Sequence, residues 1–126
     1  MKQFSRHWKS SKSARKQRKY RAQLPLHLRQ RLLRAHLSTE LKKRYHQRNV
    51  PVRAGDKVVV ARGQFKKRDG KVERVDKKRE CLYISGIEVV KKDGTKILFA
   101  IHPSNVVITE LYLDDKRRKE QLEVTQ

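Results

Sequence analysis

Arg15, Lys16, Arg18, Lys19 and Arg21 fall within one short stretch, and Lys12 precedes them by three positions. A second cluster, Arg62-Gly63-Gln64-Phe65-Lys66-Lys67-Arg68, runs on to Gly70 and Lys71. Guanidinium and ammonium groups at this density neutralise phosphates and release the counterions condensed on a polyanion, which makes binding tight and salt-dependent. Aromatic rings stand among them: Trp8 and Tyr20 near the first cluster, Phe65 inside the second. Such rings can stack on the exposed base faces of single-stranded or folded RNA. Trp8 sits in a segment with no core of its own, so it reads as a stacking or docking residue. Phe65 serves equally well as a core residue beneath its loop.

Other chemistry finds little support. Cys81 lies in the apolar run Cys81-Leu82-Tyr83-Ile84, the setting of a buried structural thiol rather than an activated thiolate. His7, His27, His36, His46 and His102 do not combine with Cys or acids at metal-ligand spacing. Asp114-Asp115 and the pair Glu120 and Glu123 lie on a charged end, where desolvation cannot shift a pKa. No phosphate loop of the form GxxxxGK[ST] is present. Neither an enzyme, a metal site nor a cofactor is expected.

The charge is large and unevenly placed. In 126 residues, 34 Lys and Arg face 13 Asp and Glu, a net charge of +21. Residues 1–53 hold 17 of the cations and one acid, Glu40; residues 54–126 hold 17 cations and 12 acids, leaving +16 and +5. Like charge at this density implies a polyanionic partner, nucleic acid first and an anionic membrane surface second. The longest apolar runs, such as Ile97 to Ile101, fall far short of the roughly 20 residues of a membrane span. A single cysteine excludes a disulfide scaffold. Met1 to Arg6 leads into no apolar segment, so no secretory signal is read.

The elements that must hold these residues divide the chain in four. Residues 1–23 have no hydrophobic periodicity and cannot bury enough apolar surface to order alone. They read as a basic, RNA-binding arm that is disordered when free, against the plainer reading of a solvated tail or localisation signal. Residues 24–50 read as two short helices meeting near His36 to Ser38, from Leu24, Leu28 and Leu32 and from Leu33, Leu37, Leu41 and Tyr45 at spacings of four. Ser38 is the expected N-cap of the second. A basic amphipathic segment here also fits a membrane surface or calmodulin.

Val50-Pro51-Val52 reads as an extended linker, and all five glycines come after it. Short strands are expected over 57–61, 71–76, 81–84, 87–90, 95–101 and 106–108. Val72 and Val75 are three apart, which predicts a bulge or sharp bend between them. Asp93-Gly94 is a hairpin turn signal. Short bent strands in so small a space predict an antiparallel barrel over 51–113. Residues 114–126 read as a short C-terminal helix capped by Asp114, with Asp115 paired to Lys119 and Lys116 to Glu120, or as a frayed tail.

The run RAGDKVVVARGQFKKRDGKVERV, Arg53 to Val75, resembles a KOW motif. That motif joins two strands of an SH3-like barrel through a basic loop, here with Gly63 and Gly70. Transcription elongation factors of the NusG and Spt families carry it too, so a KOW accessory factor binding a protein or RNA surface is the alternative. The arm KSSKSARKQRKYRAQLPLHLRQRLLRAHLSTELKKRYHQRNVPVR and the run IHPSNVVIT resemble the archaeal and eukaryotic form of ribosomal protein family twenty-four of the large subunit, called number twenty-six in eukaryotes.

The resemblance covers residues 9 to about 118. It implies binding of large-subunit rRNA, neighbouring large-subunit proteins, a place near the rim of the peptide exit tunnel where further factors dock, and a role in subunit assembly. It also implies the cytosolic ribosome, with nucleolar assembly if the source is eukaryotic, as expected. The residues expected on RNA are Trp8, Lys12, Arg15, Lys16, Arg18, Lys19, Tyr20, Arg21, Arg62, Gly63, Lys66, Lys67, Arg68, Gly70, Lys71 and His102. Lys67 departs from the family pattern, because a second glycine is expected there. The C-terminal helix is also shorter than the basic tails of relatives.

Overall fold

The structure is a computed structural model that describes residues 4–8 and 10–123. Lys9, a cation of the arm, and both chain ends lie outside the described residues. In chain order the elements are α1 (Ala14–Gln23), α2 (Leu26–Arg29), a 3-10 turn (Gln30–Leu32), β1 (Arg34–Leu37), α3 (Thr39–Tyr45) and β2 (Asn49–Pro51). Then follow β3 (Lys57–Val60), β4 (Asp69–Asp76), β5 (Cys81–Val90), β6 (Lys96–Ile101), a second 3-10 turn (Pro103–Asn105), β7 (Val106–Glu110) and α4 (Lys116–Glu123).

Seven strands form one sheet in the order β2-β1-β7-β3-β4-β5-β6. Alternation drives each strand's packing. Val58 and Val60 turn inward while Lys57 stays exposed. Val72, Leu82, Ile84, Ile87, Val106 and Ile108 fill the same core. Each such side chain contributes roughly 1.5–3 kcal/mol on burial. The molecule is therefore mainly β, a small barrel-like module flanked by helices at both ends, as expected.

The bulge is where the valines placed it. Val72 faces Ile84 but Arg74 faces Tyr83, so the register slips by one residue between them. Gly94, at φ +85°, makes the turn between β5 and β6, and the Asp93 Oδ1 accepts from the Thr95 N–H and hydroxyl. The two strands expected over 81–84 and 87–90 are one strand of 10 residues. It bends at Gly86, which has φ +76°.

Residues 24–50 depart most from expectation. α2 and α3 are the two helices, but a strand separates them. Arg34-Ala35-His36-Leu37 buries Ala35 and Leu37 and turns Arg34 outward. Leu37 satisfies a spacing of four and a spacing of two at once, and the sheet decides between them. β1 finds hydrogen-bonding partners on both sides, β2 antiparallel and β7 parallel. Val50-Pro51, read as linker, lies in edge strand β2, a position that tolerates proline. Ser38 caps α3 as expected, its Oγ accepting from the Leu41 N–H at 3.4 Å.

At the other end Asp115, not Asp114, caps α4 through the Arg117 N–H at 3.0 Å. Asp115 pairs with Arg53, and Lys119 with Glu123. The arm, expected to be disordered when free, carries one regular element. Ala14–Gln23 is helical with no buried residue, since Ala, Arg, Lys and Gln are strong helix formers even without a core.

One buried charge organises the start of the barrel. Asp56 is fully buried, and its carboxylate accepts from the guanidinium of Arg118 through both oxygens, each at 2.7 Å. It also accepts the backbone N–H groups of Arg53 and Tyr112 at 2.9 Å. The pair thereby fixes α4 against the turn that launches β3.

Candidate nucleic-acid interface

The loop between β3 and β4 is rigid because its own backbone closes it. The Lys67 N–H donates to the Val60 carbonyl and the Val60 N–H to the Arg68 carbonyl, both at 2.8 Å. Closing so tight a turn forces two left-handed positions, Gly63 at φ +98° and Lys67 at φ +70°. Glycine adopts such angles freely and lysine at a cost. The glycine that the resemblance implies at position 67 would carry no such cost.

Phe65 is buried beneath the loop, 8% exposed, with its ring 5.1 Å from that of Phe99. The core reading of Phe65 is therefore the right one. Arg68 lies over the same ring at 5.3 Å. Arg62, Lys66, Lys67 and Arg68 are all exposed, so the ring anchors the loop from below and the cations face outward.

Gly70 acts by close approach. A Cβ there would overlap the Ser85 carbonyl oxygen and sit 2.7 Å from the Ile84 Cγ2. Lys71 is carried away from the loop. It stands opposite Lys57 in the register, and its Nζ lies 6.0 Å from the Tyr112 ring. His102 has a local structural role: its Nδ1 accepts from the Ser104 N–H at 3.3 Å and lies 2.7 Å from the Ser104 hydroxyl.

In the arm, Lys12, Arg15, Lys16, Arg18 and Lys19 are exposed. Trp8 is stacked on Tyr20, with centroids 4.3 Å apart and planes 26° apart, and Phe4 lies 5.3 Å from Tyr20. Lys16 and Lys19 line the hollow beside these rings. The docking contact of Trp8 is thus with the arm's own helix.

Two arginines tie the arm to the barrel. Arg21 pairs with Glu80 at 2.6 Å. The Arg29 guanidinium gathers the carbonyls of Arg21 and Ala22 at 3.1 Å and that of Lys78 at 2.7 Å. Both tethers end at the β4–β5 turn, whereas the basic loop enters β4 at its other end. The arm's root and the loop are therefore separated by the length of an eight-residue strand, roughly 25 Å.

A further basic surface lies at the β4–β5 turn. Arg74, Lys77, Lys78 and Arg79 line a groove with Leu26, Arg29 and Tyr83. Arg74 lies 4.3 Å over the Tyr83 ring. Asp76 holds this turn, with Oδ1 accepting the N–H groups of Lys78 and Arg79 at 2.9 and 3.0 Å. The Arg79 N–H, more than any other contact, lowers the Asp76 carboxyl below its ordinary range. Four cations in six residues were the available signal. Among the described residues no cluster of His, Cys, Asp and Glu can hold a metal, and no helix is long and apolar enough to cross a membrane.

The family model described as ribosomal proteins L26 eukaryotic, L24P archaeal matches residues 11–125. The chain is 47% identical over 112 residues to the large ribosomal subunit protein uL24 of Methanosphaera stadtmanae, covering 89% of this chain and 96% of that protein. It is 47% identical to uL24 of Korarchaeum cryptofilum over 86% of this chain and 82% of that protein. The value is 48% for uL24 of Methanothrix thermoacetophila, over 86% and 94%. All three relatives are archaeal, so the expectation of a eukaryotic source, with its nucleolar assembly, finds no support in them. They are ribosomal proteins rather than enzymes, in line with the poverty of catalytic groups. A family match over residues 11–125 and identity near one half over most of each relative lead to one conclusion: the chain belongs to the uL24 family of large-subunit ribosomal proteins.

Proposed function

We propose that the chain is a structural, non-catalytic component of the large subunit that binds rRNA at two places, through its arm and through its KOW loop. The observation that carries this reading is the rigid loop. Its backbone bonds and the buried Phe65 hold Arg62, Lys66, Lys67 and Arg68 outward before any partner arrives. Arg15, Lys16, Arg18 and Lys19 in the arm contact phosphates, and the arm takes its final path only on RNA. Arg21 exchanges Glu80 for phosphate, since an exposed ion pair contributes little. Most contacts are to phosphate, which fixes position without reading sequence, and the shape of folded rRNA supplies specificity.

The same reading puts the protein in the cytoplasmic ribosome near the peptide exit tunnel, beside other large-subunit proteins and the factors that dock there, with a part in subunit assembly. The test is a salt titration of binding to large-subunit rRNA. With about ten phosphates neutralised, log affinity falls against log salt with a slope on the order of −7 for single-strand-like RNA. A slope near zero rules the clamp out.

A further inference from the structure

A cleft of about 360 Å³ opens between the 3-10 turn after α2, strands β1 and β2, and helix α4. His27, Arg31, Arg34, Arg53 and Arg118 line it over an apolar floor that includes Val50 and Leu122, and no carboxylate is in the lining. None of the arm or loop cations reaches it.

The cleft's charge can be apportioned. Arg118 is balanced by Asp56, and Arg53 by Asp115. Arg34 meets only the neutral amide oxygen of Asn49, at 3.5 Å, and Arg31 has no ion pair among the described residues. Arg31 and Arg34 therefore leave about two uncompensated positive charges at one concavity. Arg118, whose buried Nε has no hydrogen-bond partner, belongs to the same lining. Planar guanidinium forks suit the paired oxygens of a phosphate, and an apolar floor strengthens the contact by excluding water. A diester also suits the cleft, because the carbon face of a flanking sugar can cover the partly exposed Pro51.

We propose that this cleft seats one phosphodiester of RNA, in a contact separate from the arm and the loop. The proposal rests on the RNA-binding reading above. The test follows the arginine Nε–Hε signals of the full ¹⁵N-labelled chain by NMR, titrated first with inorganic phosphate and then with a short mixed-sequence RNA. The Arg31 and Arg34 signals are expected to shift and saturate together, ahead of Arg62 in the loop. RNA is expected to displace the phosphate. Arg34→Gln weakens phosphate at the cleft about tenfold and makes the RNA salt slope shallower by about 0.7; Arg31→Gln does the same and takes its place if Arg34→Gln alters the fold. Non-saturating shifts shared by every exposed arginine overturn the site. RNA that binds the chain but leaves Arg31 and Arg34 unmoved overturns this proposal alone, whereas a chain that binds no RNA overturns the proposed function itself.

Discussion

Asp56 and Arg118 stand 62 residues apart and meet in a two-pronged bond with both N–O distances at 2.7 Å, each residue almost wholly buried. Their value lies in being kept together. Removing one partner strands a buried charge, at about 3–5 kcal/mol. Asp56→Ala and Arg118→Met should each lower stability by that order in urea unfolding. The double variant should lose clearly less than the sum, though not nothing, because the N–H groups of Arg53 and Tyr112 then lack their acceptor.

Lys67 separates stability from binding. At φ +70° it holds a backbone conformation that glycine adopts without strain. Lys67→Gly should leave the protein as stable or up to about 1 kcal/mol more stable, while the salt slope for rRNA becomes shallower by about 0.7. Gly70→Ala should act oppositely, costing about 1–3 kcal/mol through overlap with Ser85 and Ile84. Thermal unfolding and filter binding on the same samples read both.

Arg29 is the clasp of the arm. Arg29→Ala removes donors from the carbonyls of Arg21, Ala22, Leu24 and Lys78. Hydrogen exchange should then accelerate over residues 14–23 and stay unchanged in β3 and β7. Equal acceleration everywhere would mean that Arg29 supports the barrel instead.

Asp115 sets an acid limit on the α4 contact. The Arg53 guanidinium holds its carboxyl below the ordinary range against the opposing effect of burial, with the Arg117 and Arg118 N–H groups adding to the lowering. The folded pKa lies below the unfolded one. The contribution is therefore complete above the ordinary carboxylate pKa and fades as pH falls through the depressed value. In a carboxyl NMR titration, Arg53→Gln should move the Asp115 midpoint upward toward that of a free aspartate.

What the sequence made legible was local. The bulge between Val72 and Val75, the Asp93-Gly94 turn, the Ser38 cap and the basic loop each depend on residues a few positions apart. The resemblance added the expectation of glycine at Lys67, and its backbone angle supplies the reason. What escaped was non-local. Arg34 to Leu37 and Asn49 to Pro51 become strands because of partners elsewhere in the chain, and nothing beside Arg118 announces a buried acid at 56. The rooting of the arm at one end of β4 and of the loop at the other was equally invisible, because it follows from pairing rather than from composition.

The parallel pairing of β1 with β7 has a consequence for the order of events during synthesis. His36 and Val107 are neighbours in the sheet but 71 positions apart in the chain. Pairs so distant carry a high loop-closure cost and form late. As the chain leaves the ribosome that makes it, the arm emerges long before β7 and α4 exist to complete the sheet and to neutralise Asp56. For most of its own synthesis the protein is therefore an unfinished barrel trailing a fully charged arm, so the segment most attracted to nucleic acid is available to it before the fold is complete.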